Sequence, residues 1–115
     1  NIPFVFDEKV IGKWKSVDYC EKIEDFKKEH PDSEDLWLKT IEFFKDGSVV
    51  RTYFNGKEWH DKWSKGVLID LTKNVVSKYI FKNINGEEYM LMEWKMGNYI
   101  YAGMAPEYYV FKKIK

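Results

Sequence analysis

The 115-residue chain has one cysteine, one arginine, two histidines and no net charge, with 19 basic and 19 acidic residues. Each scarcity excludes something. Cys20 alone forms no intramolecular disulfide, so the chain lacks the cysteine framework of a small secreted scaffold. With no Cys–His pairing near it, Cys20 reads as a small buried apolar residue and not as a nucleophile. Zero net charge, with Arg51 the sole arginine, argues against nucleic acid. Phosphate-backbone binding needs excess positive charge, and arginine makes the bidentate contacts to phosphate and base edges. The basic tail Lys112, Lys113, Lys115 then reads as a solvated final strand. No apolar run reaches the length of a membrane-spanning helix, so no membrane insertion is expected. The first six residues lack the charged-then-apolar plan of a signal peptide, and the compartment stays undecided. Two histidines, His30 and His60, are too few for a metal site with three or four ligands at recognisable spacing. Glycines stand singly at turns, which excludes a phosphate-cradling loop. No cofactor is implied.

What the chain has in quantity is apolar and aromatic residues, 44% and 18% respectively, enough for one domain with a real core. Hairpin signals are dense. Asp46-Gly47, Asn55-Gly56 and Asn85-Gly86 tolerate positive φ at both turn positions; Gly97-Asn98 and Gly66 serve related turns. Between them lie runs rich in aromatic and β-branched residues. The expected strands are 11–19, 36–44, 49–54, 58–64, 67–71, 75–84, 87–96, 99–104 and 108–114. One segment differs. Tyr19, Ile23 and Phe26 recur at helical spacing, Asp18 and Glu21 resemble a capping box, and His30-Pro31 stops the segment. A short helix is therefore expected between the first two strands. In 87–96 and 99–104 neither face is cleanly polar, and periodicity alone does not say which face is inside.

The segment Ile11-Gly12-Lys13-Trp14-Lys15-Ser16-Val17-Asp18-Tyr19 resembles the opening of the calycins, the lipocalins and fatty-acid-binding proteins. There the first strand carries G-x-W and the tryptophan plugs the closed end of a barrel. A helical piece directly after that strand is similar to the fatty-acid-binding branch. The resemblance implies an all-β, antiparallel, up-and-down barrel of eight to ten strands with one short helix. It does not carry over a fatty-acid site, because the late strand Tyr108-Tyr109-Val110-Phe111-Lys112-Lys113 has no arginine. Arg51-Thr52-Tyr53 has the right letters on an early strand. A looser likeness, over Glu93-Trp94-Lys95-Met96-Gly97-Asn98-Tyr99 and residues 103–113, is to accessory barrel domains of Gram-positive bacterial proteins. Some of these are appended to membrane-bound regulatory metallopeptidases. It implies a sensing or interaction module.

Candidate binding residues follow from ring clustering. Tyr53, Trp59 and Trp63 surround one turn and one strand, with Trp59, Asp61 and Trp63 on a single face; Tyr79, Tyr89, Glu93 and Tyr101 would line or rim the same pocket. Small-molecule sites are apolar pockets with one or two polar anchors, and Glu93 is the candidate anchor. An inward Glu93 would need a partner such as Lys95, Arg51 or a tyrosine hydroxyl, because an uncompensated buried carboxylate is costly. Outward, it would sit beside an outward lysine. Trp14 reads as a buried structural ring with Lys112 or Lys113 over its face, and His60 beside Glu58 as a solvated histidine. The expected function is a non-enzymatic binding or sensing barrel for a small apolar or aromatic ligand. The alternative is a filled barrel that docks a protein partner through an exposed aromatic patch.

Overall fold

The computed structural model describes residues 2–20, 22, 24, 38–93 and 108–114. Eight antiparallel strands close into one barrel in chain order: β1 (Gly12–Cys20), β2 (Leu38–Phe43), β3 (Ser48–Tyr53), β4 (Glu58–Ser64), β5 (Val67–Asp70), β6 (Val75–Ile84), β7 (Glu87–Glu93) and β8 (Tyr108–Lys113). β8 pairs with both β7 and β1, which removes the sheet edges. β4 and β6 begin and end where the residue pattern places them, and the described limits of the other strands differ from it by at most one residue; positions 36–37 expected in β2 and 94–96 expected in β7 lie outside the described residues. The expected strand 99–104 lies outside the described residues. Asp18, expected to cap a helix, is instead a β1 residue opposite Val110, because the ladder to β8 continues through Cys20. Tyr19, the first residue of the expected apolar stripe, and Cys20 are likewise β1 residues, opposite Tyr109 and Tyr108; apart from Lys22 and Glu24, the rest of that segment lies outside the described residues.

The short turns show why the strands end where they do. At Asn85-Gly86 both residues have positive φ, 53° and 84°. This is the hairpin geometry whose twist matches that of the flanking strands, and asparagine and glycine adopt it at least cost. The turns at 44–47, 65–66 and 85–86 share the lower end of the barrel with the start of β1. The upper end carries the turns at 54–57 and 71–74 and the ends of β1, β7 and β8 nearest residues 21–37 and 94–107.

Period-two alternation sends one face of each strand into the lumen. The lower lumen is a chain of rings: Trp14 lies 5.9 Å from Phe81, Phe81 5.7 Å from Tyr79, Tyr79 5.9 Å from Phe43 and Phe43 5.8 Å from Trp63. Met90, Met92, Leu68, Val49, Ile41 and Phe111 fill the space around them, all fully buried. Each such side chain contributes roughly 1.5–3 kcal/mol of burial. Trp14 is the structural ring expected: its Nε1 donates to Val10 O at 2.9 Å, and Lys113 Nζ lies 5.5 Å from its centre.

A strap, residues 2–10, crosses the lower end. Val5 N donates to Ser64 Oγ at 2.7 Å, Lys65 N to Val5 O at 2.8 Å, and Tyr79 Oη to Asp7 Oδ2 at 2.8 Å. Phe4 meets Trp63 edge-on at 5.0 Å. A second apolar cluster, Val17, Cys20, Tyr89, Leu91 and Val110, sits on the outer wall of β1, β7 and β8. Tyr89 and Leu91 alternate with the lumen-facing Met90 and Met92, so β7 buries both of its faces.

Candidate functional site

Above the ring layer the lumen changes character. Arg51 of β3, Asp61 of β4 and Asp70 of β5 all point inward, and their side chains are no more than 2% exposed. Arg51 Nε donates to Asp61 Oδ2 at 2.6 Å and Nη2 to Asp61 Oδ1 at 3.3 Å, a two-point clasp of one carboxylate. Nη2 also donates to Asp70 Oδ2 at 3.2 Å, and Nη1 to Tyr53 Oη at 3.1 Å. Asp70 is held independently by the turn after β5: its Oδ1 accepts from Thr72 N at 2.9 Å and Lys73 N at 3.1 Å.

One guanidinium thus faces two carboxylates in a buried layer. Burial pushes the Asp61 carboxyl above its ordinary pKa, opposed by its bonds to Arg51 and reinforced by the neighbouring Asp70 charge. Burial alone would lower the pKa of Arg51, but its hydrogen bond to Asp61 and the nearby Tyr53, Asp61 and Asp70 charges raise it above its usual value. Burial also raises the Tyr53 phenol, with Arg51 pulling the other way. The guanidinium is already engaged by carboxylates, so the layer is a poor anchor for an anionic head group. It offers acceptor oxygens and a negative balance.

Trp59 completes the upper lumen. It stands opposite Arg51 in the β3–β4 register, with the guanidinium carbon 5.8 Å from its ring. Although it faces the lumen it is 40% exposed, because it lies at the rim where β4 begins. Tyr53 at the end of β3 is half-buried beside it.

The candidate residues from the sequence therefore separate into groups. Tyr53 and Trp59 meet at the upper rim. Trp63 and Tyr79 belong to the lower ring layer, where Trp63 Nε1 donates to Phe44 O at 2.8 Å. Tyr89 and Glu93 lie on the outer wall, and Glu93 Oε1 accepts from Lys78 N at 3.3 Å. Tyr101 lies outside the described residues. His60 and Glu58 are exposed at the rim, 3.8 Å apart. Among the described residues no group of three or more His, Cys, Asp or Glu side chains is arranged to hold a metal ion. Residue-by-residue reading missed Asp70 and the pairing of Arg51 with Asp61. The available signals were the isolation of Arg51 as the sole arginine and the place of Asp61 between two inward tryptophans. No protein-family model matches the chain, and neither a curated protein nor a solved structure matches it significantly.

Proposed function

We propose that this is a non-enzymatic binding barrel that takes a small aromatic or apolar ligand at its upper mouth. The ligand stacks on Trp59 and Tyr53 above the Arg51–Asp61–Asp70 layer. One observation carries the reading: a lumen-facing tryptophan stands 40% exposed over a fully buried charged layer. A lumen serving stability alone gains little from such a layer, since packed apolar residues in place of a buried ion pair are often neutral or stabilising. An open ring with polar acceptors beneath it is the usual composition of a small-molecule site.

The test is titration with an environment-sensitive apolar dye, following dye emission and energy transfer from tryptophan. Saturable one-to-one binding is expected in the wild type. Trp59→Ala should weaken it by about tenfold, the equivalent of about 1.4 kcal/mol. Phe6→Ser, at the opposite end, should leave it unchanged. Absence of saturable binding, or equal binding by Trp59→Ala, would overturn the reading.

The second reading is a filled barrel that works through its surface as a protein-interaction or accessory module. The continuous ring packing of the lower lumen favours it. Under this reading the dye experiment is negative and Arg51, Asp61 and Asp70 serve only to specify strand register.

A further inference from the structure

The upper mouth carries more rings than Trp59 and Tyr53. Met92 faces the lumen and pairs with Tyr109, and Tyr109 pairs in turn with Tyr19. Directly opposed residues of antiparallel strands share a face, so Tyr109 of β8 and Tyr19 of β1 also look inward. Strict alternation from the inward Trp14 would send Tyr19 outward. The register shift between Ser16 and Asp18 turns it in. The two tyrosine rings lie 6.5 Å apart, and Tyr109 lies 6.2 Å from Phe111 in the lumen below. Tyr19 is 38% exposed and Trp59 40%, while Tyr53 and Tyr109 are half-buried. The two pairs of rings come from facing walls. β1 and β8 are neighbours, β3 and β4 are neighbours, and β2 separates the pairs on one side and β5–β7 on the other. An eight-stranded lumen is wide enough for one small ligand between such walls.

What lies beneath the rings selects the charge of the ligand. Arg51 faces both Asp61 and Asp70, and all three side chains are no more than 2% exposed. The layer therefore holds a net negative charge away from solvent. The exposed charges around the rim are of both signs, Lys57 and Lys73 with Glu58 beside His60. Water and salt screen those, and screen the buried layer far less. Ring faces carry the negative lobe of the aromatic quadrupole and attract cations. Rings and layer thus favour the same sign. Both oxygens of Asp61 and of Asp70 already accept hydrogen bonds. An ammonium with N–H donors would give up water for few new acceptors. A quaternary ammonium has no N–H to satisfy, and its methyl groups give the rings an apolar surface to pack on.

We propose, resting on the reading of the mouth as a ligand site, that the ligand is a small quaternary ammonium cation. Tyr19 and Tyr109 hold it from one wall, and Tyr53 and Trp59 from the other. The Arg51–Asp61–Asp70 layer supplies the negative field below it. The register shift in β1 serves the site by turning Tyr19 into it.

The experiment titrates the whole chain at constant ionic strength with choline, with its neutral isostere 3,3-dimethylbutan-1-ol and with ethanolamine. The Trp59 indole N–H is followed by nuclear magnetic resonance. Choline should shift that resonance saturably and leave those of Trp14 and Trp63 in place. Its affinity should exceed that of the alcohol, and that of ethanolamine, by about tenfold. Tyr19→Leu keeps an apolar side chain at an exposed position and removes the ring. It should lower choline affinity about threefold and leave that of the alcohol unchanged, a difference that a packing defect would not produce. Equal affinity for choline and the alcohol would overturn the proposal, as would a preference for ethanolamine or unchanged choline binding by Tyr19→Leu. If the apolar dye still binds in those cases, the mouth remains a ligand site and only the cation fails. If neither dye nor choline binds, both readings fall.

Discussion

Replacing Arg51 with methionine tests whether the charged layer is held by its one cation. Methionine keeps most of the volume and removes the guanidinium's hydrogen bonds to Asp61, Asp70 and Tyr53. Asp70 keeps its two backbone donors from the turn. Asp61 loses both bonds from the guanidinium while only 1% exposed. Breaking a buried pair from one side costs about 3–5 kcal/mol, a large share of the roughly 5–15 kcal/mol total for a domain. At about 4 °C per kcal/mol for a chain of this size, the melting temperature should fall by roughly 12–20 °C. Urea unfolding at pH 7, followed by tryptophan emission, measures the loss. Its pH dependence identifies the cause. Burial already raises the Asp61 carboxyl, and without Arg51 that shift grows. A carboxyl whose folded-state pKa lies above its unfolded value is protonated first in the folded state. Its penalty is therefore present at neutral pH, shrinks as pH falls through the folded pKa, and is gone below the unfolded value near about 4. The gap between variant and wild type should narrow on acidification, and Arg51→Met/Asp61→Leu should recover most of it. A loss below about 1 kcal/mol, or a gap that does not change with pH, would refute the reasoning.

Other outcomes follow from single contacts. Gly47 has φ of 92°, and a Cβ there would stand 3.2 Å from the Phe4 ring. Gly47→Ala should cost more than about 1 kcal/mol, with Phe4 leaving Trp63 in the near-ultraviolet circular dichroism. Tyr79→Phe removes the donor that holds Asp7. It should cost about 1 kcal/mol and speed hydrogen exchange at the Lys65 amide, which bonds to the strap. Carboxyl titrations followed by nuclear magnetic resonance should move in opposite directions. Asp46, bonded by the Ser48 hydroxyl and amide, should titrate below the ordinary aspartate range, and buried Asp61 above it. Two midpoints on the same side would contradict the placement of one of them.

Much of the fold is legible in the residue order because hairpin chemistry is local. Asn85-Gly86 lies between two β-rich runs, and the structure places a two-residue hairpin there with both φ values positive. The limits of β4 and β6 were readable for the same reason. Which face of β7 looks inward was not readable. Met90 and Met92 on one side and Tyr89 and Leu91 on the other are all apolar, and only the pairing of Met92 with Tyr79 settles the matter. Glu93 then falls on the outer wall with Tyr89, away from Trp59. The charged layer was half legible. Asp61 shares a face with Trp59 and Trp63, which the period-two rule exposes, but Asp70 is 19 residues from Arg51 and meets it across β4.

By itself the sequence determined the class: a β-rich chain broken by tight turns, with a single cysteine and therefore no internal disulfide. These properties depend on residue types and on neighbours within a few positions. Tertiary structure alone decided which face became the lumen, that Trp63 and Tyr79 form a floor while Trp59 stands at the rim, and that the sole arginine clasps two aspartates. Barrel closure joins β1 to β8 and aligns inward positions from different strands. That alignment depends on register around the whole ring, and no local pattern encodes it.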